Sequence, residues 1–131
     1  MANSLFLGLL AVLLQLPAGE GHGEPGETGR ATFYAPFFHG RRTASGTTFD
    51  STMMIAAHPS LPFGTTVRVH GLRDGRSVVV TVVDRGPARG PRKAGIIIDL
   101  SPAAARYLGL QRSGHMQVRL EILDHVASVR P

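Results

Sequence analysis

Along this chain, short apolar runs alternate with turns rich in glycine and proline, and one stretch carries a helical signature. Residues 65–70 (TTVRVH) place valines at every second position, the period of a half-buried strand. Residues 116–123 (MQVRLEIL) alternate in the same way. Residues 77–83 (SVVVTVV) are β-branched almost throughout, which predicts a strand covered on both faces. Asp74-Gly75 marks a hairpin turn in front of that run. Residues 30–34 and the isoleucines 96–98 supply two more short strands. The helix reads Ser101 as N-cap, Pro102 in the first turn, residues 103–108 as body and Gly109 as stop. Short strands with few long edges predict a small β-dominated domain, closed as a barrel rather than layered as a sandwich.

The ends differ from this pattern. Residues 5–16 form an apolar run of secretory-signal length, followed by the small residues Pro17-Ala18-Gly19, although no lysine or arginine precedes it. A cleaved signal over residues 1–19 is therefore expected. Residues 20–28 are Gly/Glu-rich without apolar period and read as a flexible lead-in. The domain is expected over residues 29–124, with a tail at 125–131.

Composition narrows the chemistry. An apolar fraction of 43% over 131 residues suits one folded domain and excludes disorder. No cysteine is present, which excludes disulfides, thiolate metal sites and an N-terminal lipid anchor on cysteine. The net charge of +5 comes almost wholly from arginine, Lys93 being the one lysine. It predicts attraction to polyanions: nucleic acid, an anionic cell wall or a membrane surface. The arginines are scattered and not interleaved with aromatics, which argues against nucleic acid. No His-Glu-x-x-His or comparable spacing points to a metal, and no cofactor is expected.

Two aspartates stand where strand-like runs stop. Asp84 follows residues 77–83 and opens Asp84-Arg85-Gly86-Pro87; Asp99 follows the three isoleucines and leads into Leu100-Ser101. Strand ends that deliver carboxylates into turns are frequent catalytic positions.

With Ala31-Thr32-Phe33-Tyr34, His39 to Gly46, Phe49-Asp50, Ala56-Ala57-His58, Leu61 to Thr65, Asp84 to Pro87 and Ile98 to Ser101 in order, the chain resembles the RlpA-like (rare lipoprotein A) family. The likeness extends through Ala103-Ala104-Ala105 and Leu108-Gly109, covering about residues 29–123. It implies a mainly β fold, a six-stranded double-psi β-barrel with one or two short helices. It further implies an exported protein of the periplasm or cell envelope that acts on peptidoglycan glycan strands as an endolytic lytic transglycosylase. The first domain of expansins, which loosen walls without obvious hydrolysis, is a related barrel, so a non-catalytic wall-binding module is the alternative. Three departures stand out. The family's glutamate after Thr-Ala-Ser-Gly is Thr47 here, the lipoprotein cysteine is missing, and the peptidoglycan-binding repeat domain of many members does not follow. The loop from Arg85 to Gly95 is also longer than usual.

Asp99 is the first candidate for the acid, because burial at the end of an apolar strand would raise its pKa; the alternative is a cap for the turn into the Ser101 helix. Asp84, beside Arg85, suits an ionised role toward an oxocarbenium-like state, or else an Asx turn. Asp50 and His58 complete the catalytic candidates; Asp50 also reads as a short-helix cap, and His58 as a satisfied structural histidine. Tyr34 with Phe37 and Phe38 would stack on sugar, or pack in the core. Thr43, Ser45 and Thr47 are binding candidates from the family motif. Arg85 and Arg89, with Arg41, Arg42, Arg92 and Lys93, would frame a groove for an anionic strand, or form a solvated surface. A monomer without stable membrane insertion after signal cleavage is expected.

Overall fold

Alternation decides which side chains enter the barrel. The computed structural model describes residues 23–124. Its strands are β1 (Glu24–Phe33), β2 (Ile55–Ala57), β3 (Thr66–Gly71), β4 (Ser77–Asp84), β5 (Ile96–Leu100) and β6 (Met116–Asp124). They close in the order β1-β5-β2-β4-β3-β6. The β1–β5 and β2–β4 pairs are parallel, and every other pair is antiparallel. This is the six-stranded double-psi barrel. Val67 and Val69, Val78, Val80 and Val82, Ile98 and Leu100, and Val118 and Leu120 point inward and are buried. Each such side chain stabilises the fold by roughly 1.5–3 kcal/mol against exposure, before entropy is counted.

Two helices complete the domain: α1 (Arg89–Lys93) and α2 (Pro102–Leu108). α2 forms as its caps predict. Ser101 Oγ accepts from the Ala104 N–H at 3.2 Å, and Gly109 ends the helix in the left-handed region at φ 80°. Ala104, Ala105 and Leu108 then seat it against the barrel core.

Three expectations change, and two segments gain elements that the pattern did not show. β1 begins at Glu24, so most of the segment expected to be a flexible lead-in is a strand, paired through Thr28↔Arg119 and Gly29↔Val118 with β6. Its glycines mark close approach rather than flexibility: a Cβ on Gly26 would come 2.9 Å from the Leu120 carbonyl oxygen. β4 is not covered on both faces. It alternates, with Val79 39% exposed, because its outer side faces solvent. The Arg85–Gly95 loop contains α1, and Ala56-Ala57 belongs to a strand, β2, too short to show a period. Asp50 caps no helix; it closes an Asx turn, accepting at Oδ1 from the Thr52 N–H at 2.9 Å and the Thr52 hydroxyl at 2.6 Å.

The expected signal and tail lie outside the described residues. Among the described residues no helix is long and apolar enough to cross a membrane.

Candidate active site

Two bulges prepare the site. On β4, Ala56 pairs with Val82 but Ala57 pairs with Asp84, leaving Val83 as the extra residue. A regular strand would have sent Asp84 inward with Val80 and Val82. The bulge instead turns it outward beside Ala57. On β5, Arg30 pairs with Ile96 and Ala31 with Ile98, so Ile97 is extra. From there Thr32 pairs with Asp99, and Asp99 with Ala57. The result is one outward row across four neighbouring strands: Thr32, Asp99, Ala57, Asp84. With strands about 4.8 Å apart, the two aspartate backbones lie roughly 10 Å from each other on one face.

A second apolar cluster outside the barrel adjoins that row at Ala57. Tyr34, Phe49, Ile55 and Ala57 are buried in it, with Phe38 and Val83 against them. Tyr34 stacks on Phe49 with ring centroids 4.2 Å apart and meets Phe38 edge-on at 5.3 Å. Tyr34 is thus core for the cluster, and its hydroxyl donates to Asp84 Oδ2 at 2.7 Å. Asp84 Oδ1 accepts from the Ala44 N–H at 2.8 Å and the Arg85 N–H at 2.9 Å. Three donors hold this carboxylate in place.

Asp99 has a different environment. Burial raises its pKa above the usual carboxylate range, and the negative charge of Asp84 pushes the same way. A hydrogen bond donated by Thr32 Oγ1 to Asp99 Oδ1 opposes the shift without cancelling it. On the other side lies Gly86, where a Cβ would stand in ordinary contact, 3.4 Å from Asp99 Oδ2. Burial, the hydrogen bond to Asp84 and the two carboxylate charges push the Tyr34 phenol far above its ordinary pKa, so it remains a neutral donor. The row therefore pairs one carboxyl whose proton affinity is raised with one anchored by three donors.

The turn at 43–47 lies against Asp84 through Ala44. Its hydroxyls close a ring: Thr43 Oγ1 to Ser45 Oγ 2.9 Å, Thr43 Oγ1 to Thr47 Oγ1 3.0 Å, and Ser45 Oγ to Thr47 Oγ1 3.0 Å. Thr47 brings no carboxyl here, only a hydroxyl.

Of the remaining candidates, the side chains of His58, Arg85 and Asp50 are held by partners other than the two carboxyls. His58 is 3% exposed, and its Nδ1 accepts from the Ser60 and Leu61 N–H groups at 3.1 Å each. Nε2 therefore carries the proton and donates to Glu27 Oε1 at 2.7 Å. Its link to Asp84 is through backbone, His58 N–H to the Asp84 carbonyl at 3.1 Å. Arg85 donates to the His58 and Leu61 carbonyls at 3.3 and 2.8 Å and lies over the Phe63 ring at 4.0 Å. It clamps the loop. Asp50 is held in its Asx turn, and its pKa is lowered chiefly by the Thr52 hydroxyl. Arg89 stands exposed on α1. Among the described residues no group of three or more His, Cys, Asp or Glu side chains could hold a metal ion.

Sequence reasoning missed Thr32 and Glu27. Alternation within residues 30–34 could have placed Thr32 outward. Glu27 had no signal, because its segment carries no apolar period.

A family model described as lytic transglycolase, with a double-psi β-barrel, matches residues 27–120. The chain belongs to the lytic transglycolase family. Its barrel is similar to the probable endolytic peptidoglycan transglycosylase RlpA of Synechocystis sp., 52% identical over 96 residues, covering 73% of this chain and 29% of that protein. The chain thus spans less than a third of that curated relative's length. Among solved structures, the Streptomyces papain inhibitor superposes with a TM-score of 0.59 at 26% identity, covering 75% of this chain and 94% of the inhibitor. Apo expansin of Clavibacter michiganensis superposes with a TM-score of 0.57 at 25% identity, covering 74% of this chain and 50% of the expansin. In this lytic transglycolase barrel, the outward carboxyl row is the feature with chemical potential.

Proposed function

We propose that this domain cleaves peptidoglycan glycan strands between N-acetylmuramic acid and N-acetylglucosamine, leaving 1,6-anhydro ends. The carrying observation is the row itself, which sets Asp99, with its raised proton affinity, and an anchored Asp84 on one face with Ala57 between them. Protonated Asp99 gives its proton to the glycosidic oxygen as the bond from muramyl C1 breaks. Asp84 offers negative charge to the oxocarbenium-like centre. The muramyl 6-hydroxyl oxygen then bonds to C1, and its proton returns to Asp99. No water is consumed, and the carboxyl ends as it began. One acid/base group suffices for this cycle, so the route does not require the glutamate that Thr47 replaces. Export to the cell envelope, after removal of residues 1–19, is part of the same proposal.

Purified strands incubated with the protein should yield anhydromuramyl products, and Asp99→Asn should abolish them while strand binding persists. Cleavage that survives Asp99→Asn would overturn the assignment of the acid.

The hydroxyl ring at Thr43, Ser45 and Thr47 favours one second reading, a wall-binding or wall-loosening module like the expansins. A hydroxyl does not protonate a leaving oxygen at neutral pH. Under that reading wild type binds without cleaving. Thr47→Glu would then restore cleavage by at least the ~10²-fold typical of one general acid or base. If wild type already cleaves, the second reading fails.

A further inference from the structure

Six cations near the site are alike in sequence, and the structure separates them. Arg85 is bound to two carbonyls and a ring, Arg41 lies over Phe37 and Phe38, and Arg42 reaches the Gly46 carbonyl at 3.4 Å. Arg89, Arg92 and Lys93 remain, all on α1 and all exposed. Among the described residues the one ion pair made by an arginine or lysine is Arg76–Asp74, so none of these three reaches a carboxylate. α1 itself holds no acid.

Two hollows flank α1. One, about 320 Å³, is lined by Pro59, Arg85, Gly86, Pro87, Ala88 and Arg92. The other, about 400 Å³, is lined by Arg89, Arg92 and Lys93. Arg92 belongs to both, and Gly86, which lines the first, is the residue packed against Asp99 Oδ2. A strand lying across the acid row and along Gly86 would therefore bring its side groups to α1.

We infer that α1 and its two hollows form a carboxylate-binding shelf beside the acid row, which takes the carboxylates carried on the muramyl residues of a glycan strand. The inference rests on the proposed glycan-strand substrate. A muramyl residue offers such groups from two sources, the lactyl carboxylate when no peptide is attached and the peptide carboxylates when one is. Both have the charge and planar oxygens that arginine matches. Separate exposed cations fit groups repeated along a strand better than one closed pocket would.

A charge cycle tests this. Binding is measured in the inactive Asp99→Asn background, with and without Arg92→Gln/Lys93→Gln. The probes are peptide-bearing strands, peptide-free strands, and each of these with its carboxyls converted to carboxamides. The double change should weaken binding of carboxylate strands about three- to tenfold at low salt, as expected for two exposed ion contacts. The loss should shrink as salt rises toward 1 M. Carboxamide strands should show a change of less than about twofold, the cycle isolating the contact itself. A loss confined to one strand type identifies the carboxylate source and supports the shelf. Arg106→Gln/Arg112→Gln, with the same charge removed elsewhere, should have little effect. An equal loss from that control, an equal loss on carboxamide strands, or no loss at all would overturn the shelf. Absence of cleavage by the unmodified protein would remove the catalytic reading and leave this binding result standing.

Discussion

Two outer faces of this barrel carry polar rows, and they treat a carboxyl in opposite ways. On the β1–β5–β2–β4 side, Asp99 is desolvated by burial near a second carboxylate, and its pKa is raised. On the β3–β6 side, Glu121 accepts a hydrogen bond from His70 at 2.8 Å, with Arg68 and Arg119 close by, and its pKa is lowered, chiefly by His70. That second face also bears a cavity of about 490 Å³, lined by Arg68, His70, Ser77, Arg119 and Glu121 with Gly23 and Gly75. This roomy hollow belongs to the carboxyl that holds a proton less tightly. Proton affinity follows from desolvation and neighbouring charge, not from the room around the group.

The comparison breaks most sharply if the two carboxyls are exchanged as catalysts. Asp99→Asn should lower strand cleavage by at least ~10²-fold, the usual contribution of a general acid, whereas Glu121→Gln should leave the rate within about twofold. Product release by chromatography decides it, and comparable losses from both changes would remove the distinction.

Next in size is Gly86→Ala. Gly86 has φ 141°, where an L side chain is strained, and its new Cβ would stand 3.4 Å from Asp99 Oδ2. Stability should fall by about 1–3 kcal/mol in denaturant unfolding. Gly75→Ala also has a positive φ, but at 78° it is near the left-handed helical region that L residues enter at modest cost, so it should cost less than Gly86→Ala.

Tyr34→Phe keeps the stack on Phe49 and deletes the donor to Asp84. A loss of about 0.5–1.5 kcal/mol is expected, together with reduced cleavage. An unchanged rate would show that Asp84 needs no anchoring from Tyr34.

The smallest effects are pH-dependent and opposite in sign. The native pKa of Asp99 is above its unfolded value, so the folded state holds the proton more tightly. Its ionisation therefore opposes folding above the raised native value, and that cost vanishes below the ordinary carboxylate range. Asp99→Asn should accordingly raise the melting temperature at pH 7 and leave it nearly unchanged at pH 3. Glu121 has a lowered native pKa, so it contributes stability above the ordinary glutamate range that is lost as pH falls through the native value. Glu121→Gln should slightly lower the melting temperature at pH 7, with the difference closing in acid. Same-sign shifts for both variants at pH 7 would mean that the two faces do not differ electrostatically.

Much of this architecture is legible in the order of the residues alone. The two-residue period of residues 65–70 and 116–123 corresponds to β3 and β6. Ser101, Pro102 and Gly109 bound α2 because capping is local chemistry, settled by residues within a turn of one another. Asp84 and Asp99 are legible as strand ends for the same reason. The family motifs point to a double-psi barrel. What the sequence by itself determined is therefore the set of elements, the apolar face of most strands, and two carboxyls at strand ends.

Only the tertiary structure decided what those carboxyls meet. Thr32 and Asp99 are 67 positions apart and Tyr34 and Asp84 are 50 apart, joined through strand pairings that no local pattern encodes. The extra residues Val83 and Ile97 reverse the facing of the positions after them, since a one-residue slip sends a side chain to the other side of the sheet. Glu27 became the partner of His58 because β1 extends back to Glu24 along β6 through backbone hydrogen bonds, which need no apolar period. Among the described residues Arg85 is occupied while Arg89, Arg92 and Lys93 have no carboxylate partner, a difference set by the carbonyls and ring that folding brings within reach. Sequence names the donors and acceptors; which of them find partners depends on contacts between segments distant in the chain, and those exist only once the barrel closes.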